Sequence, residues 1–154
     1  MKSFRESRKA ISPVISTIII VAVAIAISIA VAFWLGGITG IFTRFEKLEI
    51  PTAYATGGET TWSITLEVKN TGTTDTSITD VLINGIPYTE YDDVTVRING
   101  ADIPANGYPL KTGDGTTVDI TIQRGTTGFS SGQAVTITLH TSGGQDYPKT
   151  VVLP

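Results

Sequence analysis

Few residues in this chain are able to do chemistry, and their spacing limits what they can do. There is one histidine, His140, and no cysteine, so thiolate metal sites and disulfides are excluded. Gly128-Phe129-Ser130-Ser131-Gly132 has the Gly-x-Ser-x-Gly form of a hydrolase nucleophile elbow. That elbow needs a strand before it, a helix after it, and an acid followed by a histidine later in the chain. Here a strand-like alternation follows, and His140 precedes the only later acid, Asp146. A plain Gly/Ser-rich loop is the expectation. Asp92-Asp93, beside Tyr88 and Tyr91, suggests calcium or a strand start, but an EF-hand ligand series is missing and a solvated turn is expected. Asp114-Gly115 and Asp119 read as hairpin residues, and His140 as a polar strand end. Thr116, Thr117, Thr126 and Thr127 form no P-loop. No catalytic residue, metal ligand or cofactor is expected, and the chain is not expected to be an enzyme.

One further group of residues is suited to being acted upon. Arg8-Lys9-Ala10 stands directly before Ile11-Ser12-Pro13-Val14-Ile15. A cut after Ala10 would strip the charged head from the chain and leave an apolar segment at the new N-terminus. The charge distribution makes that head distinct. Before Ile11 there are four basic residues against one acid, a net of +3, whereas the remaining residues carry 7 basic and 13 acidic side chains, a net of −6. An acidic body also argues against nucleic acid as a partner, because phosphate binding needs a positive surface.

The element that would position this junction is a long apolar helix. From Ala10 to Thr43, 34 consecutive residues lack a formal charge. About 20 apolar residues already span a bilayer core, so the segment is longer than anchoring requires. Ser12 reads as an N-cap with Pro13 at the first helical position. Ile15 to Trp34 has no polar face, and such a helix must be buried all round, in lipid or among other helices. Ala22, Ala24, Ala26, Ala30 and Ala32 alternate with larger residues and permit close helix approach. Gly36, Gly37 and Gly40 suggest a hinge near 36–40, after which the helix is expected to resume as far as residue 50, ahead of Pro51.

A secretory signal peptide carries its cleavage site after a short apolar core. Here the processing site lies ahead of the apolar run. The stretch Ser7-Arg8-Lys9-Ala10-Ile11-Ser12-Pro13-Val14-Ile15-Ser16 resembles the class III leader and mature start of archaeal type IV pilins. In that family a membrane-embedded aspartyl prepilin peptidase cuts after a small residue preceded by basic ones. The resemblance implies Ala10 as the last leader residue, Ile11 as the first mature residue, and Arg8 and Lys9 as recognition residues on the cytoplasmic side. Bacterial type IV pilins usually carry glutamate at the fifth mature position, where this chain has Ile15. Archaellins share the leader logic but usually begin with a glycine-containing mature start, unlike Ile-Ser-Pro-Val-Ile.

From about Pro51 the composition changes. Of residues 51–154, 22 are threonine, a residue that favours pleated surfaces. Trp62, Ile64, Leu66 and Val68 alternate with polar residues, as do Val94, Val96 and Ile98; Val118, Ile120 and Ile122; and Val135, Ile137 and Leu139. Val151 and Leu153 close the last strand. Asn70-Thr71-Gly72, Asn84-Gly85, Asn99-Gly100 and Gly143-Gly144 mark turns, and Asn-Gly between apolar runs is a type I′ hairpin signal. No Asn-x-Ser/Thr sequon is present.

The expected fold class is α+β: a long N-terminal hydrophobic α-helix followed by an all-β, immunoglobulin-like antiparallel sandwich. The expected organisation is a cleavable leader over 1–10, an assembly or transmembrane helix over 11–50, and an extracellular domain over 51–154. The resemblance implies a homopolymeric extracellular pilus subunit used in adhesion, inserted in the cytoplasmic membrane before assembly, with prepilin peptidase and assembly machinery as partners. Pro13, Val14, Ile15, Ile18, Ile19, Ile20, Val21, Ile25, Ile29, Phe33 and Trp34 would form its assembly helix. The alternatives are a membrane-anchored monomeric β-sandwich binding module and an archaellum-like motility-filament subunit.

Overall fold

The computed structural model describes residues 5–42, 44–125 and 128–154, with side chains from Pro13 to Gly40 and in the two later stretches. Residues 1–4, Thr43, Thr126 and Thr127 lie outside the described residues. The chain divides into two compact units, Met1–Thr43 and Arg44–Pro154.

The first unit is helix α1, Arg5–Phe42, 38 residues or about 57 Å at 1.5 Å per residue. It corrects three expectations. The helix starts before Ser12, so Ser12 is no N-cap and Pro13 lies inside it. The helix is unbroken through Gly36, Gly37 and Gly40, because glycine lowers helix propensity without removing a backbone donor. It does not resume towards residue 50, since Leu48 already begins a strand.

The second unit contains strands β1 (Leu48–Gly57), β2 (Thr61–Asn70), β3 (Thr76–Ile83), β4 (Ile86–Pro87), β5 (Val94–Ile98), β6 (Ala101–Asp102), β7 (Tyr108–Leu110), β8 (Gly115–Gln123), β9 (Ala134–Thr141) and β10 (Asp146–Val152). All pair antiparallel, in two sheets ordered β1-β2-β8-β5-β6 and β10-β9-β3-β4, with β7 also on β3. Lettering β1, β2, β3, β5, β8, β9 and β10 as A to G gives A-B-E-D against G-F-C. That is an immunoglobulin arrangement; the strand pattern predicts such a sandwich, and the strand order comes from the structure.

The alternating residues build the core as their period dictates. Ile64, Leu66, Ile120, Ile122, Ile137 and Leu139 are completely buried, with Ile78, Val81 and Ile83 of β3 completing the layer between the sheets. Asn84 and Asn99 adopt φ 52° and the glycines that follow adopt φ 83° and 78°, closing two-residue hairpins at Ile83/Ile86 and Ile98/Ala101.

Strand β1 begins inside the last residues of the segment read as helix, at Leu48. Its pairing with β2 shifts register between Glu49 and Thr52, which places Pro51 in an irregularity on an edge strand, where a missing N–H is tolerated. Just before β1, Phe45 and Lys47 dock on the turn after β2. Thr71 N–H and Gly72 N–H donate to the Lys47 carbonyl, and Thr73 N–H donates to that of Phe45, at 2.9 to 3.1 Å. A side chain at Gly72 would meet Lys47 N at 2.6 Å and Phe45 O at 2.7 Å, so only glycine allows this approach. Asn70, completely buried, holds the same turn: its amide donates to the Thr74 and Leu110 carbonyls and its oxygen accepts from Gly72 N–H.

Every sheet edge is blunted. β1 carries Pro51, β10 carries Pro148 and Lys149, and β4, β6 and β7 have only two or three residues each. Short edges, prolines and lysines discourage edge-to-edge association.

Candidate assembly and membrane helix

The α1 segment Pro13–Gly40 is 28 residues long, about 42 Å, and apolar enough to cross a membrane. None of its most apolar stretch is buried within the chain. Isoleucines of the β-domain core have zero exposure, whereas those of α1 between Ile15 and Ile29 are 50% to 66% exposed, and Phe33 is 79% exposed. All the candidate assembly residues from Val14 to Trp34 belong to this uncovered surface, and Pro13 is exposed with them. Val23, Ile27, Val31 and Leu35 share it and complete the apolar circumference. The continuous apolar composition is the signal that points to these four as well.

The few hydroxyls do not interrupt that surface electrostatically. Thr17 Oγ1 donates to the Val14 carbonyl at 2.7 Å, Ser28 Oγ to that of Ala24 at 2.7 Å, and Thr39 Oγ1 to that of Gly36 at 3.0 Å. Each proton is satisfied by the helix's own backbone, as an environment without water requires.

Helical spacing sorts the alternating sequence into stripes. At about 100° per residue, Ala22, Ala26 and Ala30 lie along one line, and Ala24, Ser28 and Ala32 along another about 200° away. Val23, Ile27 and Val31 form a ridge between them on one side, and Ile25 and Ile29 on the other. Small lines between branched ridges let apolar helices approach closely on two sides. Trp34 stands towards the C-terminal end of the segment, where an indole suits the boundary between membrane and water.

Arg8, Lys9, Ala10 and Ile11 lie in the backbone of α1. Pro13 has no N–H to donate to the Lys9 carbonyl, so the helical turn containing Ala10-Ile11 lacks one bond of its ladder.

The other candidate residues are scattered over the β-domain and converge nowhere. Ser130 is exposed in a loop followed by β9, with no helix after it. His140 Nδ1 pairs with Asp146 Oδ1 at 2.6 Å across the β9–β10 hairpin, and both side chains are exposed. Asp92-Asp93 is an exposed turn before β5. Among the described residues no group of three histidine, aspartate or glutamate side chains is placed to hold a metal. The Lys47 ammonium, hydrogen-bonded to Glu49 at 2.7 Å, holds that carboxyl below its usual range. Burial pushes the Tyr147 phenol up, and the Glu46 carboxylate adds to the effect. Glu46 lies over Gly143 in the β9–β10 turn, and its Oε1 is buried with no hydrogen-bond partner among the described residues. Nothing in the local sequence marks that contact, because the two residues are 97 positions apart.

No family model and no curated protein matches this chain. Among solved structures it is similar to the archaellum periplasmic stator protein FlaG from Sulfolobus acidocaldarius, at 22% identity over 69% of this chain and 99% of that one, with TM-score 0.46. It is also similar to the apo PCuAC domain from PmoF1, at 13% identity over 71% and 98%, with TM-score 0.47. A third is the Iho670 flagellar-like filament, at 13% identity over 92% and 98%, with TM-score 0.34. All lie below 25% identity and below 0.5 in TM-score, so none of them assigns a function.

Proposed function

We propose that this chain is the precursor of an extracellular filament subunit of the archaeal type IV pilin kind, which polymerises through α1 and acts in surface adhesion. The observation that carries the reading is the contrast between the two units. The β-domain has a closed core and blunted edges, whereas α1 carries a continuous apolar surface that nothing in the chain covers. Lipid covers that surface before assembly. Neighbouring copies of α1 cover it in the filament, each large apolar side chain contributing about 1.5–3 kcal/mol on transfer from water. Leaving lipid for a helix bundle gains less, and there close packing between small-residue lines supplies the attraction.

Removal of the head at Ala10-Ile11 separates this reading from a permanent anchor. Arg8 and Lys9 hold the precursor's N-terminus on the cytoplasmic side. Burying those charges among apolar helices is costly, so their loss permits bundling. Prepilin peptidase and an assembly machine are the partners this requires, and no catalytic role falls to the chain itself.

The test is N-terminal mass spectrometry of protein sheared from cells, with electron microscopy of the same material. Fibres whose subunits begin at Ile11 are expected. Intact Met1 with detergent-soluble monomers refutes the reading in favour of an anchored binding module.

A further inference from the structure

The outer face of the β1-β2-β8-β5-β6 sheet carries a polar trough that filament assembly through α1 does not use. Its floor is the outward row of β8: Gly115, Thr117, Asp119 and Thr121, all short side chains. Longer side chains rise on both flanks, Arg97 and Asn99 on the β5 side and Glu67 and Lys69 on the β2 side. Two depressions lie along this floor. One of about 240 Å³ is lined by Thr95, Arg97, Asp119 and Thr121. The other, about 380 Å³, is lined in part by Glu67, Lys69, Asn99 and Thr117. From Gly115 to Thr121 the floor runs about 20 Å at 3.3 Å per residue.

Two properties define what fits there. Two cations (Arg97, Lys69) stand with three carboxylates (Glu67, Asp119 and Asp102, the last beside Arg97), so an anionic ligand meets more repulsion than attraction. Donors and acceptors alternate densely: Asp119 Oδ1 already accepts from Thr65 Oγ1 at 2.9 Å, and Arg97 Nε lies 3.6 Å from Asp102 Oδ1. Extended, uncharged and rich in hydroxyls describes a neutral glycan chain, and the length suits about four sugar units. Tyr54, half exposed, continues the Asp119 row through Thr65 and offers an aromatic face beside the trough.

We infer that this trough binds a neutral oligosaccharide segment, with Asp119 and Arg97 as its central hydrogen-bonding pair. The inference does not depend on filament assembly, because the binding is read on dispersed protein. The full chain in lipid nanodiscs would be titrated calorimetrically with mannotetraose, maltotetraose and cellotetraose, and with tetragalacturonate as the anionic comparison. At least one neutral tetrasaccharide is expected to bind with Kd below about 1 mM. Asp119→Ala is expected to weaken it about tenfold or more. Arg97→Gln, at an exposed side chain, and Thr117→Trp, which fills the floor, should do the same without lowering the thermal midpoint. Failure of all three neutral sugars to bind overturns the inference. So does a preference for tetragalacturonate, or unchanged affinity in both Arg97→Gln and Thr117→Trp.

Discussion

Replacing Ile20 with aspartate tests the burial of α1 most directly. Ile20 lies about 10 Å along the helix from Pro13 and about 30 Å from Gly40, well inside the apolar segment, and its side chain is among the most exposed isoleucines of the isolated chain. No basic residue of α1 lies within ten positions of it, so a carboxylate there gains no partner from its own helix. The substitution removes an isoleucine worth about 1.5–3 kcal/mol on full burial. It also adds an unpaired charge costing about 2.5–3.5 kcal/mol in an apolar environment. Relative to water these sum to about 4–6.5 kcal/mol per subunit. In lipid a lone carboxylate is partly relieved by snorkelling and local water, a relief that the packed bundle removes. Part of this sum therefore opposes assembly, and each 1.4 kcal/mol of it raises the subunit concentration needed about tenfold. The assay counts filaments by electron microscopy in sheared fractions, with carbonate extraction to show that the chain remains in the membrane and an immunoblot to show leader removal. Ile20→Leu, which conserves volume and polarity, should assemble normally. Fibres at normal density from a membrane-inserted, processed Ile20→Asp chain would refute burial of this face.

Pro13→Ala restores the missing bond to the Lys9 carbonyl and improves local helix stability by about 3 kcal/mol, so leader removal at Ala10-Ile11 should slow, by up to about 10²-fold if unwinding precedes the cut. A pulse-chase immunoblot of precursor and mature chain checks this, and an unchanged rate rejects it. Asn70→Ala takes a buried donor from the Thr74 and Leu110 carbonyls and leaves Gly72 N–H only its bond to the Lys47 carbonyl, and should cost the β-domain about 2 kcal/mol or more, read as a lowered urea midpoint of its unfolding. The Tyr147 phenol, raised by burial, should be the late titrating tyrosine in absorbance at 295 nm. Because its folded pKa lies above the unfolded one, its contribution to stability is complete below about pH 10. That contribution is lost as pH rises from there through the folded value, a dependence that Tyr147→Phe should remove.

Much of this molecule is local in origin and so was legible in the sequence. A run of apolar residues with no polar face has only one low-energy backbone in lipid, because every peptide group must bond within the segment; hence α1 follows from composition alone. The strands β2, β5, β8 and β9 follow from strict alternation. The hairpins at Asn84-Gly85 and Asn99-Gly100 follow from two residues that tolerate positive φ.

What tertiary structure decided are the places where local preference is weak or divided. Leu48 to Ile50 carries too little alternation to declare a strand start, and it becomes one only because β2 offers an edge and Gly72 lets the preceding Phe45 and Lys47 backbone close on the turn. Pro13 reads as a helix start, yet one lost hydrogen bond does not end a helix whose preceding residues continue it. Asn70 looks like an ordinary turn residue, but the partners that make it a buried knot reach as far as Leu110, 40 positions away in the chain. The polar trough is likewise invisible in one dimension. Its floor and walls come from three strands whose register places Glu67, Thr117 and Asn99 side by side. Periodicity determines which face of each strand is wet, but only the pairing of strands determines which wet residues become neighbours.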